Sequence, residues 1–226
     1  MPRPLSLLIV LLPAFSLWAK PVPFEARYQA YTTGLPCGKG TLTLTESEPG
    51  QYQYHAKGKI CVIGQHIDHQ SAFAQTTQGP QPGAYETEFD GWFRDRLLAG
   101  TPQANGRYTV TLNGKTLPDS EDFPRAQWEP ALMLRQLAQA RDDVQLSYTW
   151  GDETRDYLFQ YQGEETLKTP LGPLKTHKFV QDHPNESRVA TFWFAPELDG
   201  LLVQLEATRL GVHWLTVKLK RYHKQG

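Results

Sequence analysis

The sequence predicts a mostly β fold, a curved antiparallel up-and-down sheet with one amphipathic helix packed on its concave face. Three observations predict it. Apolar and polar residues alternate at a period of two in many short runs, turn motifs separate those runs, and a single stretch shows helical spacing.

The first run sets Phe24, Ala26, Tyr28 and Ala30 against Glu25, Arg27 and Gln29, as a strand with one buried face requires. Leu42 and Leu44 alternate with Thr41, Thr43 and Thr45, and Tyr52, Tyr54 and Ala56 with Gln51, Gln53 and His55. Tyr85, Thr87 and Phe89 then oppose Glu86, Glu88 and Asp90. Tyr108, Val110 and Leu112 repeat the pattern, followed by Val144, Leu146, Tyr148 and Trp150, and by Tyr157, Phe159 and Tyr161. The last strands are expected near Val189 to Phe194, Leu201 to Ala207 and Trp214 to Leu219. Glu48-Pro49-Gly50, Asn105-Gly106, Asn113-Gly114, Trp150-Gly151-Asp152 and Thr169-Pro170-Leu171-Gly172 mark turns between runs. Asn-Gly is the strong short-hairpin signal, and closely spaced strands joined by short turns imply antiparallel neighbours.

Pro130 to Ala140 reads differently. Ala131, Leu134, Leu137 and Ala138 recur at helical spacing, Pro130 suits a first turn, and Arg135, Gln136 and Gln139 are expected to face water. A large curved sheet needs cover on its inner face, and this helix is the segment that supplies it.

The N-terminus predicts export. Arg3 precedes a nearly unbroken apolar run from Leu5 to Leu12, extended by Ala14 to Ala19 before the polar Lys20. That is the layout of a secretory signal peptide, residues 1–19, and it is too short for a spanning helix. Residues 20–226 then form one β-rich domain outside the cytoplasm, in the periplasm, not membrane-spanning after cleavage. With 23 basic against 24 acidic residues scattered along the chain, no basic face is legible, which argues against nucleic acid as a partner.

Exported chains meet an oxidising compartment, so the two cysteines, Cys37 and Cys61, are expected to form a disulfide. Cys37 is read in the loop after the first strand and Cys61 at the end of the third. Both then fall at one end of a three-strand meander, closing a loop worth roughly 3 kcal/mol.

Chemistry-bearing patterns are sparse. His66 and His69 stand three apart and so point to opposite faces of a strand, which argues against a shared metal ion. Glu86, Glu88 and Asp90 read as a solvated strand face. The pairs Asp142-Asp143 and Glu164-Glu165 are locally adjacent, whereas acid-base chemistry needs carboxyls across a cleft. No nucleophile elbow, phosphate-binding glycine loop, zinc-binding histidine motif or Cys-x-x-Cys is present, and no cofactor is implied. The segment Phe192-Trp193-Phe194 carries large apolar groups on both faces. It reads either as a strand buried on both sides or as the lining of an apolar ligand groove.

Gly163-Glu164-Glu165-Thr166-Leu167, Thr169-Pro170-Leu171-Gly172 and Trp193-Phe194-Ala195-Pro196-Glu197-Leu198, followed by Leu202-Val203, resemble an exported bacterial family, domain of unknown function 3108. The opening Phe24-Glu25-Ala26-Arg27-Tyr28 and the helix after Trp128-Glu129-Pro130 fit the same order of features. In that family a Pro often precedes the Val matched by Val203, where this chain has Leu202. The resemblance implies a periplasmic β-rich protein, and by fold analogy a half-barrel similar to the Lol-type lipoprotein carriers. It implies no catalytic residues. The expected function is non-enzymatic: binding of a lipid or other apolar ligand, or of an envelope protein, in maintenance of the cell envelope. An enzyme acting on envelope polymers through carboxylates such as Glu164 or Asp182, and an interaction module using an edge strand or the Glu86–Glu88–Asp90 face, are the alternatives.

Overall fold

The computed structural model describes residues 20–60, 65–91, 95–104, 108–117, 130–150, 153–183 and 188–225. Among them fourteen strands form one antiparallel sheet. In chain order they are β1 (Phe24–Thr32), β2 (Leu35–Glu48), β3 (Gln51–Ile60), β4 (Gln65–Thr76), β5 (Gly79–Asp90), β6 (Arg96–Pro102), β7 (Tyr108–Leu112) and β8 (Lys115–Thr116). After the helix α1 (Pro130–Gln139) come β9 (Val144–Trp150), β10 (Glu153–Thr169), β11 (Gly172–His183), β12 (Arg188–Ala195), β13 (Leu201–Arg209) and β14 (Val212–Lys224).

Each strand pairs with its neighbour in sequence, giving two meanders, β1–β8 and β9–β14. They are joined where β1 pairs with β14, from Phe24 opposite Lys224 to Tyr31 opposite Thr216. The sheet stays open, with β8 and β9 as its edges and α1 on the connection between them. Register shifts at Arg27/Tyr28, Ala30/Tyr31, Ser71/Phe73, Tyr161/Glu164 and Trp193/Phe194 bend individual strands and add to the twist.

The expected alternation holds where it was legible. Phe24, Ala26, Tyr28 and Ala30 are buried, as are Tyr52, Tyr54, Tyr85 and Phe89, while Glu86, Glu88 and Asp90 lie exposed on the opposite face. The Asn113-Gly114 hairpin is present, with both residues at positive φ between Leu112 and Lys115. Thr169 pairs with Gly172 across Pro170-Leu171, and the Thr169 hydroxyl accepts from the Leu171 amide at 3.1 Å.

Strands β6 and β11 escape the alternation rule, and β4 shows itself only around His66 and His69. Their buried faces carry polar side chains: His69 and Ser71 in β4, Thr176, His177 and Gln181 in β11. In β6 the buried Leu98 sits beside the exposed Leu97. Without an apolar stripe there is no pattern to read.

Two local expectations are corrected. Cys37 lies on β2, not in a loop, because β1 turns directly into β2 through Thr33 and Gly34, at φ 46 and 82. Pro36 is accommodated opposite Tyr31, next to a register shift. Arg135 and Gln136 do not face water. The Arg135 guanidinium is largely buried and pairs with Asp199 at 3.5 Å. Asp199 in turn accepts from the Val22 amide at 3.3 Å, so one carboxylate ties the helix to the segment just before β1.

Helix α1 packs on β9, β12 and β13. Leu137 and Ala138 are buried, with Leu134 packed beside them, against Leu146, Tyr157, Phe159, Phe179 and Phe194. The side chain of Ala131 lies outside the described residues. A second cluster is centred on β1–β4 and β13, around Ala26, Tyr28, Tyr52, Phe73 and Val203. The buried Tyr28 hydroxyl crosses over β14 to donate to the Leu202 carbonyl at 2.7 Å. The Asn105-Gly106 and Gly151-Asp152 turn residues and residues 1–19, expected as a leader, fall outside the described residues.

Candidate functional site

The face covered by α1 carries an aromatic belt. Antiparallel register sets Tyr161 opposite Phe179 and Phe179 opposite Phe192, on one side of β10, β11 and β12. Phe159 meets Phe192 at 5.6 Å and 63°, and Phe179 meets Phe194 at 6.1 Å and 69°, both edge-to-face. Phe194 is fully buried and Phe192 half-buried.

Two polar side chains interrupt this belt. His177 and Gln181 flank Phe179 at two residues on either side, so all three point to the same face. Both polar side chains are 3% exposed. Among the described residues neither ring nitrogen of His177 has a hydrogen-bond partner, nor has Nε2 of Gln181. The His177 ring stands edge-on to Tyr161 at 5.9 Å, and a Glu164 carboxylate oxygen lies 3.6 Å from Nε2, beyond hydrogen-bonding range. From α1, Oε1 of Gln136 is likewise buried with no hydrogen-bond partner among the described residues. Leaving such a group unsatisfied costs about 1–3 kcal/mol. A carbonyl, hydroxyl or phosphate oxygen brought beneath the helix would relieve that cost at His177 and Gln181, and a donor would relieve it at Gln136.

Trp193 does not share this surface. It points to the opposite face, where its indole Nε1 donates to Glu165 at 3.0 Å and Lys178 lies over the ring at 5.2 Å. Lys178 also pairs with Glu165 at 3.2 Å. The Trp193 hydrogen bond, with help from Lys178, holds the Glu165 carboxyl below its ordinary range despite partial desolvation. Of the three aromatics in the sequence motif, Phe192 and Phe194 thus line the helix-covered face, and Trp193 is sealed beneath a polar cap.

The other sequence candidates separate. His66 is exposed, whereas His69 is buried and its Nδ1 lies 2.8 Å from the Thr87 hydroxyl. No group of three metal-ligating side chains occurs among the described residues. On the outer face Asp68 joins His55 at 2.7 Å and Lys57 at 2.9 Å. Desolvation pushes the Asp68 carboxyl up, but the hydrogen bonds from Lys57 and His55 outweigh it and hold the group below its usual range. Asp68 and Lys57 belong to an open depression of about 410 Å³ whose walls also carry Lys39, Lys59, Glu88 and Asp90. Glu164 is half exposed and lies 3.4 Å from Arg141. Asp182's side chain and Cys61 lie outside the described residues.

Sequence reasoning missed His177, Gln181 and Gln136. Lys175-Thr176-His177-Lys178 reads as a polar run, and only the pairing with Phe192 and Phe194 shows which of these side chains turn inward.

A family model described as a protein of unknown function, DUF3108, matches residues 27–211. No curated protein matches the chain. A β-barrel-like protein of the domain of unknown function DUF1849 from Brucella abortus has a similar structure. Its TM-score is 0.58 at 10% identity, over 91% of this chain and 98% of that one. A protein with a YmcC-like fold from Bacteroides fragilis aligns at a TM-score of 0.37 and 13% identity, over 91% and 97% of the two chains. The first likeness concerns the fold alone.

Proposed function

The chain belongs to the DUF3108 family, and from that premise we propose that it is a non-enzymatic periplasmic protein that holds an apolar ligand bearing a polar group on the helix-covered face of its sheet. The observation that carries the reading is the pair His177 and Gln181, buried among aromatics, whose His177 ring nitrogens and Gln181 Nε2 have no hydrogen-bond partner among the described residues. A ligand placing its chain along Phe192 and Tyr161 and its polar group at His177 would supply the missing partner. The half-buried rim formed by Leu134, Val144, Phe192 and Leu202 gives an apolar body somewhere to lie.

The carboxylates favour binding over acid-base chemistry. Glu46, Asp68 and Glu165 are all held below their ordinary range by hydrogen bonds from neighbouring donors, the reverse of what a general acid needs. Residues 1–19 act in this reading as the cleaved leader.

The periplasmic assignment also makes Cys37–Cys61 a disulfide. Gly38 stands opposite Ile60 and Lys39 opposite Lys59, so Cys37 lies next to the β2 residue that pairs with the last residue of β3, the one Cys61 follows in sequence.

The ligand test uses oleate as probe and His177→Phe as variant. Phe removes both orphaned nitrogens while keeping an aromatic ring beside Phe194. The wild-type protein is expected to bind oleate in calorimetry, and the variant to lose that binding by tenfold or more while its thermal midpoint rises. Equal oleate affinity in the two proteins, or no binding by either together with solvent extracts empty of lipid, removes the reading.

A further inference from the structure

The outer face of β2–β5 carries a second surface. Cross-strand pairing there sets side chains in two rows. Lys39, Lys59, His66 and Asp90 form one, and Lys57, Asp68 and Glu88 the next. Both rows line the open depression of about 410 Å³, a volume common among small-ligand sites.

The charges in this depression are sorted by sign. Lys39 stands directly opposite Lys59, and Asp68 directly opposite Glu88. Like charges opposed in this way destabilise a sheet. Asp68 is compensated by His55 and Lys57. Lys39, Lys59, Glu88 and Asp90 are exposed and have no ion-pair partner among the described residues. Strand β4 keeps the two signs apart: Lys59 and Asp90 lie two strand spacings, roughly 10 Å, from each other.

This arrangement selects a ligand by exclusion. A simple anion drawn to the lysines is repelled by Glu88 and Asp90, and a simple cation drawn to the carboxylates is repelled by Lys39 and Lys59. A neutral ligand leaves all four charges as they are. Only a zwitterion with well-separated charges meets both ends. An anion seated between β2 and β3 and a cation seated over β5 are two and a half strand spacings apart, roughly 12 Å. An extended chain covers at most about 3.3–3.6 Å per residue, so a peptide of about three or four residues spans that distance between its own termini. A single amino acid is too short to reach both ends.

We infer that this depression binds short peptides with free termini, the C-terminal carboxylate between Lys39 and Lys59 and the N-terminal ammonium at Glu88 and Asp90.

The test is an NMR titration of the protein with trialanine and tetraalanine, beside their N-acetylated and C-amidated forms and alanine itself. The free peptides are expected to bind, and blocking either terminus to weaken binding roughly tenfold, as the loss of two exposed ion pairs implies. Alanine should bind more weakly than either peptide. In the combined Lys39→Gln and Lys59→Gln variant amidation should no longer matter while acetylation still does. In the combined Glu88→Gln and Asp90→Asn variant the reverse should hold. Each variant relieves a like-charge contact, so its thermal midpoint should hold or rise. The inference is overturned by equal affinity for free and blocked peptides, by alanine binding as tightly as tetraalanine, by an unchanged terminus preference in either variant, or by no binding at all. None of these readouts involves oleate or His177, so the two proposals fail separately.

Discussion

Replacing Gly200 with Ala tests how the helix is seated on the sheet. Gly200 sits at φ 76 between the 3-10 turn at Pro196–Leu198 and β13, and a Cβ built there overlaps the Cβ of Ala138 on α1. Two costs follow. An L-residue in the left-handed region costs about 1–2 kcal/mol, and overpacking a filled contact adds about 1–3 kcal/mol. The sum, about 2–5 kcal/mol, corresponds to a drop in thermal midpoint of roughly 4–20 °C for a chain of this size. The assay is urea and thermal unfolding followed by circular dichroism, with Ala138→Gly as the second arm of a double-mutant cycle. Ala138→Gly alone destabilises by about 1 kcal/mol through helix propensity. In the double variant the overlap disappears while the backbone strain stays. The pair should therefore be less destabilised than the sum of the single changes by about 1–3 kcal/mol. Strict additivity, or a neutral Gly200→Ala, would refute the close helix–sheet approach on which the covered face depends.

Two further outcomes follow from the same structure. Glu165 is held below its ordinary range, so its contribution is present above the unfolded carboxylate range and is lost as pH falls through its folded value. Glu165→Gln keeps an acceptor for the Trp193 indole. The variant should lose less stability than the wild type between pH 7 and pH 3 in urea titrations, and an equal loss counts against the assignment. For the cysteines, protein purified from the periplasm should show no reactive thiol until reduced, and Cys37→Ser should lower the thermal midpoint. Two titratable thiols without reductant exclude the bond.

Much of this protein was legible from its residues. The apolar-polar alternation in β1, β3, β5 and β7 reports burial because those strands face an apolar core on one side and solvent on the other. Asn113-Gly114 and Thr169-Pro170-Leu171-Gly172 marked their turns because backbone sterics are local. The opposite facing of His66 and His69 followed from strand periodicity alone.

Other features needed the tertiary structure. The pairing of β1 with β14 joins residues nearly a chain length apart, and no local pattern encodes it. Strand β11 hides because His177 and Gln181 occupy positions that an apolar stripe would otherwise fill. Arg135 looks like a solvent-facing helix residue until the fold places Asp199 beside it. Trp193 and its neighbours Phe192 and Phe194 read as one aromatic motif, yet the sheet sends them to opposite faces with different partners. The charged depression is the clearest case. Lys39, Lys59, Glu88 and Asp90 are dispersed in a sequence of near-zero net charge, and only cross-strand register brings them together. Composition and periodicity determine which segments become strands and which faces turn inward, because those choices depend on a residue and its near neighbours. Which inward polar groups lack a partner, and which outward charges gather, depends on strand order and register, and these are settled only when distant segments meet.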